Sequence, residues 1–169
     1  MSGTRGKTAI VGIGEIPTGR HAERPAISFA LDAARMAIAD AGIGKDAIDF
    51  VMPTGALFSA QFNTELVTCR VVEELGLKNV VGNCQVFSGG SSSTNGLRMA
   101  SALIETGRAE AVLFVHTDKL GTGVSSQGGI DLFSTAGISS EWETPYGQHY
   151  STVAALTTTR YKYETGTTD

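Results

Sequence analysis

What this chain has little of narrows its function early. Two cysteines in 169 residues, Cys69 and Cys84, cannot make a disulfide framework. Both fall in segments that read as regular elements, where free buried thiols are common, and a reducing cytoplasm is the expected compartment. No apolar run approaches the ~20 residues of a membrane-spanning helix, so no membrane span is expected. Met1 to Lys7 leads into the first apolar segment without the hydrophobic region of a secretory signal. Thirteen Lys and Arg against 17 Asp and Glu leave a formal net charge of −4, with no basic run, and this excludes a nucleic-acid footprint. Three separated histidines (His21, His116, His149) give no metal-ligand spacing with the two cysteines. Gly12-Ile13-Gly14 lacks the third glycine and the prompt helix of a dinucleotide loop, and no Gly-x-x-x-x-Gly-Lys-Ser/Thr loop occurs. Neither a metal nor a resident cofactor is expected.

Apolar residues make up 41% of the chain and charged residues 18%, the balance of a globular protein long enough for one domain with a real core. Strands and helices alternate. Lys7 to Ile13 reads as a first strand, followed by a Gly/Pro/Arg loop. A helix over Ala26 to Ala41 comes next, its apolar residues at helical period, with Pro25 at its start and Gly42 as its cap. Ile48 to Met52 reads as a second strand ended by Pro53, and Thr64 to Leu75 as a helix stopped by Gly76. Lys78 to Cys84 is a third strand and Ser92 to Thr106 a helix stopped at Gly107. Glu110 to His116 is a fourth strand, apolar enough to be central and covered on both faces. This alternation predicts an α/β fold with a mostly parallel sheet and helices on its faces. From Leu120 to Tyr146 the pattern dissolves into Gly and Ser with Phe133, Trp142 and Tyr146 among them, a length that marks either a functional or a disordered loop. A last helix covers about Gly147 to Glu164.

The most informative stretch runs from Val80 to Ala100, Val-Val-Gly-Asn-Cys-Gln-Val-Phe-Ser-Gly-Gly-Ser-Ser-Ser-Thr-Asn-Gly-Leu-Arg-Met-Ala. It reads as strand, glycine-serine turn and helix start, an arrangement that aims backbone N–H groups and a helix dipole at the turn. With Glu105-Thr106-Gly107-Arg108-Ala109-Glu110 and the strand Ala111 to Val115, it resembles the nucleophile region of the thiolase superfamily, most like the sterol-carrier-protein type. Thr8 to Arg20 is similar to that family's opening strand and loop, Ala33 to Ile43 to its first helix, and Pro145 to Tyr161 to the helix after its substrate-covering loop. The resemblance implies a thiolase-like layered fold with a mixed, mostly parallel sheet and a βαβαβαββ-type half. It divides the chain into an N-terminal α/β half over 1–119, a substrate-covering loop over 120–146 and a returning helix over 147–169. The family's C-terminal half, with its catalytic histidine and second cysteine, has no counterpart here.

The family carries its acyl group on a cysteine at the head of the helix, and this chain does not hold one there. Matching Val86-Phe87-Ser88-Gly89-Gly90 to Val-Cys-Ser-Gly-Gly puts Phe87 in the cysteine's place. Counting back from Gly107 puts Gly90 there, with Ser91 and Ser92 beside it. The helix register favours Gly90, because a shift of three residues would turn the buried face away from the sheet. Cys84, three to six residues upstream, serves as nucleophile only if its strand bulges.

Without a thiolate, the resemblance implies C–C bond cleavage or formation beside a coenzyme A thioester, through an enolate held at an oxyanion site and served by an acid/base group. Candidate catalytic positions are Gly90, Ser91, Ser92 and His116, the last at the carboxyl end of a strand where α/β sheets meet their ligands. Phe87, Gly89, Phe133, Trp142 and His149 are candidate substrate contacts. The plainer roles are turn and cap for Ser91, Ser92 and Ser93, packing for Cys84, and hydrogen-bonded structure for His149 and Tyr150. A non-catalytic subunit that binds acyl-CoA or a partner is the alternative function. Expected partners are acyl-CoA and a second copy meeting across Asn79 to Cys84, with a separate C-terminal half or partner subunit as a further one unless the chain is a fragment.

Overall fold

The computed structural model describes residues 6–54, 66–119, 122, 125, 127, 128, 130 and 138–168. The chain divides into two compact units, Met1–Thr122 and Gly123–Asp169.

The first unit is an α/β layer. Helix α1 spans Ala26–Ala41, strand β1 Phe50–Thr54, helix α2 Val67–Leu75, strand β2 Gly82–Asn83, helix α3 Ser92–Glu105 and strand β3 Val112–His116. The strands order β2-β1-β3 and all pair in parallel, with Phe50 to Thr54 in register with Val112 to His116. Pro25 caps the start of α1, and Gly42 ends it in the left-handed conformation that only glycine adopts freely. One side of the sheet is closed by α1 and α2. Ile27, Ala30, Leu31 and Ala34 of α1 and Val67, Val71 and Leu75 of α2 form a single core with Val51, Leu113 and Val115. Side chains alternate along a strand, so Val112, Phe114 and His116 stand on the other side of β3. Helix α3 covers that side: a Cβ at Gly96 would run into the Phe114 ring. Helices on both faces of a parallel sheet are what the sequence predicts.

Four expectations are corrected. Lys7 to Ile13 joins no strand of the described sheet, and Ile10, Val11 and Ile13 are exposed. It lies along α1 instead, where Gly12 and Gly14 let its backbone approach Ala33, Ala37 and Ala41 too closely for any Cβ. Between this segment and β3 opens an apolar cavity of about 560 Å³. Secondly, Pro53 lies inside β1 rather than ending it. The carbonyls of Asp49 and Val51 accept from Val81 and Cys84 on the β2 side, while that of Thr54 accepts from Thr117 on the β3 side. Pro53 falls in the β2-facing row beyond Asn83, so its missing N–H costs no ladder bond. Thirdly, β1 is the central strand, and β3 is an edge of the described sheet, its two faces unequally covered. Lastly, the third strand shrinks to Gly82–Asn83. Thr64, the expected start of α2, lies outside the described residues.

In the second unit a short 3-10 turn, Thr144–Tyr146, precedes helix α4, Tyr150–Thr165, which ends at Gly166. Phe133 lies outside the described residues.

Candidate active site

The carboxyl ends of β1 and β3 and the amino end of α3 meet at the glycine-serine turn. Thr54 closes β1 by donating its hydroxyl to the Val86 carbonyl at 2.5 Å, which ties the turn to the sheet. Gly89 takes φ +55°, and the chain reverses into α3 with Ser91 N–H on the Ser88 carbonyl and Ser92 N–H on the Gly89 carbonyl.

The serines then separate by role. Ser92 is buried, accepts from Ser88 N–H at 2.9 Å and donates to the Gly89 carbonyl at 2.8 Å. Ser91 donates to the Ser88 carbonyl at 2.8 Å and accepts from Asn95 at 3.3 Å. Both hydroxyls are engaged in building the turn. Ser93 points the other way: its Oγ lies 2.8 Å from Nδ1 of His116. That pair was not singled out from the sequence. The signal for it was strand alternation, which puts His116 on the same side of β3 as Phe114 and therefore beside the first turn of α3.

Gly90 is exposed, and a Cβ built there meets nothing within 4 Å, so the expected cysteine position is sterically open yet holds no side chain. Phe87 and Gly89 are exposed in the same turn. Cys84 sits just after β2, donates its N–H to the Val51 carbonyl and is half-buried, and burial pushes its thiol above the ordinary range. A raised thiol is a poorer nucleophile at neutral pH.

On its other flank His116 lines a second cavity of about 540 Å³, walled by the loop Gly14 to His21, by Phe29 and Ala33 of α1, and by Thr117 to Lys119. The buried Lys119 ammonium fixes this wall by donating to the Arg24 carbonyl at 2.6 Å and the Ala22 carbonyl at 3.5 Å. The His21 ring lies against Phe29, its Nε2 3.0 Å from the Pro17 carbonyl, and the Arg24 guanidinium stacks over the Phe29 ring, 4.8 Å from its centroid. Burial raises the Asp118 carboxyl above its ordinary value, against the opposing pull of the Lys119 N–H and of His116. No group of three or more His, Cys, Asp or Glu able to hold a metal ion occurs among the described residues.

In the second unit His149 starts α4. Its Nδ1 accepts from Ser151 N–H at 3.1 Å, and its own N–H donates to the Thr152 hydroxyl at 2.8 Å, a reciprocal cap. Trp142 is exposed, and Tyr150 is the first residue of α4.

No family model matches the chain. A curated acetyl-CoA acetyltransferase of Methanocaldococcus jannaschii is 29% identical over 163 residues, which are 95% of this chain and 40% of that protein. The chain thus spans about two fifths of the length of that curated relative. Among solved structures, the Ltp2-ChsH2(DUF35) aldolase matches at a TM-score of 0.72 and 27% identity, over 95% of this chain and 39% of that one. The acetyl-CoA acetyltransferase from Syntrophomonas wolfei matches at a TM-score of 0.55 and 26% identity, over 62% of this chain and 27% of that one. The parallel sheet, the glycine-serine turn before α3 and these likenesses agree in supporting a partial domain of the thiolase superfamily.

Proposed function

We propose that this protein acts on coenzyme A thioesters without a cysteine nucleophile, breaking or making a C–C bond beside the thioester through an enolate. The observation that carries this reading is Gly90: the head of α3 has room for a nucleophile and no side chain to serve as one. The likeness to an aldolase over 95% of the chain supports it. So does Cys84, whose burial-raised thiol is unsuited to replace the missing thiolate. Backbone N–H groups at the turn and the positive end of α3 favour an enolate oxygen there. Coenzyme A enters and leaves as part of the substrate, and no resident cofactor takes part.

The second reading is a non-catalytic subunit that binds acyl-CoA or a partner. It is favoured by the turn itself, where Ser91 and Ser92 are both spent on backbone carbonyls. In either reading a second copy pairs across Asn79 to Cys84, where Val81 is 79% exposed. The reading places the protein in the cytoplasm; no helix among the described residues is long and apolar enough to cross a membrane.

Intact-mass measurement after incubation with acetyl-CoA, beside calorimetry of acetyl-CoA binding, tests the choice. Binding without a covalent adduct is the expected result. An acetyl adduct mapped to Cys84 or to any of Ser91 to Ser93 sinks the reading, and absence of binding removes both acyl-CoA functions and leaves the partner-binding subunit.

A further inference from the structure

His116 stands between two features that neither strand geometry nor turn construction requires. On one side its Nδ1 meets Ser93 Oγ at 2.8 Å. On the other it lines the cavity closed by the Gly14 to His21 loop, a space of about 540 Å³. The hydroxyls of Ser91 and Ser92 already serve the turn backbone, so Ser93 is the serine of this turn whose hydroxyl lies against the imidazole. Neutral imidazole carries its hydrogen on one nitrogen only, and the partner of that nitrogen decides which one is free to accept a proton. In the tautomer whose Nδ1–H donates to Ser93 Oγ, the lone pair is on Nε2, and that is the tautomer the proposal below uses.

We propose that His116 is the proton-transfer group of this site, with Ser93 as the residue that positions it, and that the thioester's α-carbon is presented from the cavity beneath the Gly14 to His21 loop. This rests on the coenzyme A thioester reading above and assigns the group that makes the enolate. In the forward step the Cα–H bond of the thioester breaks, its proton moves to Nε2, and its electron pair becomes the enolate with the charge on the carbonyl oxygen. In the reverse step the imidazolium returns a proton to that carbon. For C–C cleavage the same nitrogen takes the proton of the β-hydroxyl, the Cα–Cβ bond breaks to a carbonyl compound and the enolate, and the proton then goes to Cα. No oxidant, metal or covalent acyl group is consumed in either direction.

The cavity has the mixed lining such a substrate needs. Ile16, Pro17 and Phe29 offer apolar wall, while Arg20 and Asp118 are charged residues of its lining. Lys119 is committed to the Arg24 and Ala22 carbonyls, so it holds the wall rather than meeting substrate.

The test is deuterium uptake at the α-carbon of acetyl-CoA in D2O, followed by mass spectrometry of the recovered thioester, with acetyl-CoA binding measured in parallel. The full protein should exchange, and His116→Gln should lower the rate at least ~100-fold with melting temperature and binding unchanged, since positioned acid–base groups contribute about 10²–10⁴-fold. Ser93→Ala should lower the saturated rate about tenfold with KM unmoved, and Ser93→Thr, which keeps the hydroxyl, should restore it. His116 is exposed, so its loss leaves the fold intact and an unchanged melting temperature checks this. Exchange unaffected by His116→Gln overturns the assignment. Binding of acetyl-CoA without exchange in the unmutated protein also overturns it, leaving the thioester-binding reading standing, whereas no binding at all overturns that reading too.

Discussion

The two faces of the sheet are built on opposite principles. On the α1–α2 face, Leu31, Val67, Val71 and Leu75 interlock with Val51, Leu113 and Val115, and the strand residues there are almost wholly out of water. On the α3 face the helix buries only Ser92, Gly96 and Ala100, and Leu97 and Met99 remain exposed. Apolar burial is worth about 25 cal/mol per Å², so the first face supplies most of the unit's stability. The second is thinly covered, and it carries the turn, Ser93 and His116. Separating the two lets the site stay open without loosening the core.

Trimming each face should expose the contrast most strongly. Leu31→Ala leaves a cavity in the closed core and should cost about 2–5 kcal/mol, while Leu97→Ala on the open face should cost less than about 1 kcal/mol. Denaturant unfolding of both variants measures the difference, and equal losses would erase the distinction. Gly96→Ala comes next. Alanine inside a helix ordinarily gains about 0.5–1 kcal/mol over glycine, but here the added methyl would strike the Phe114 ring, and the change should instead cost about 1–3 kcal/mol. Phe114→Leu in the same protein should recover part of that loss.

Much of the closed face was legible in the sequence because burial writes a period into it. The apolar spacing of α1, its proline start and its glycine end gave Ala26–Ala41 directly, and α3 ends one residue from the expected place. Pairing was harder to read. Lys7 to Ile13 has the composition of a strand, but composition carries no information about which neighbour supplies its hydrogen bonds, and no described strand does. Pro53 misled for a related reason: a proline stops a strand only where its N–H has a partner to lose, and β2 has already ended at that row. At the open face, Ser91 to Ser93 look alike in sequence. Three successive positions on a helix start point about 100° apart, so only the strand opposite decides which one meets an imidazole.

Acid titration should sharpen the comparison by a smaller effect. Asp118 borders the open face, and burial holds its folded carboxyl above the ordinary value. Between the ordinary value and the raised one, the folded chain keeps a proton that the unfolded chain has released. Stability therefore falls as pH rises through that window and levels off above it. Asp118→Asn should flatten this part of the stability profile and leave the rest unchanged. A profile with the same slope in the variant would mean that another group titrates there.

The smallest expected change in stability belongs to Gly90→Cys, and it bears most directly on what the open face lacks. A Cβ at Gly90 meets nothing within 4 Å and its φ is not in the left-handed region, so the unfolding free energy should move by no more than about 0.5 kcal/mol. The new thiol would sit just ahead of α3, where the helix dipole lowers a thiol's pKa, whereas burial raises that of Cys84. Iodoacetamide at neutral pH followed by peptide mapping should therefore label position 90 at least ~10-fold faster than Cys84. Phe87→Cys is the matched control, because Phe87 is the position that the rival alignment assigns to the nucleophile. Faster labelling at 87 than at 90 would move the head of the site three residues upstream, away from Ser93 and His116. Faster labelling at 90 would keep the head of the site at the start of α3, beside Ser93 and His116, where the proposed proton transfer needs it.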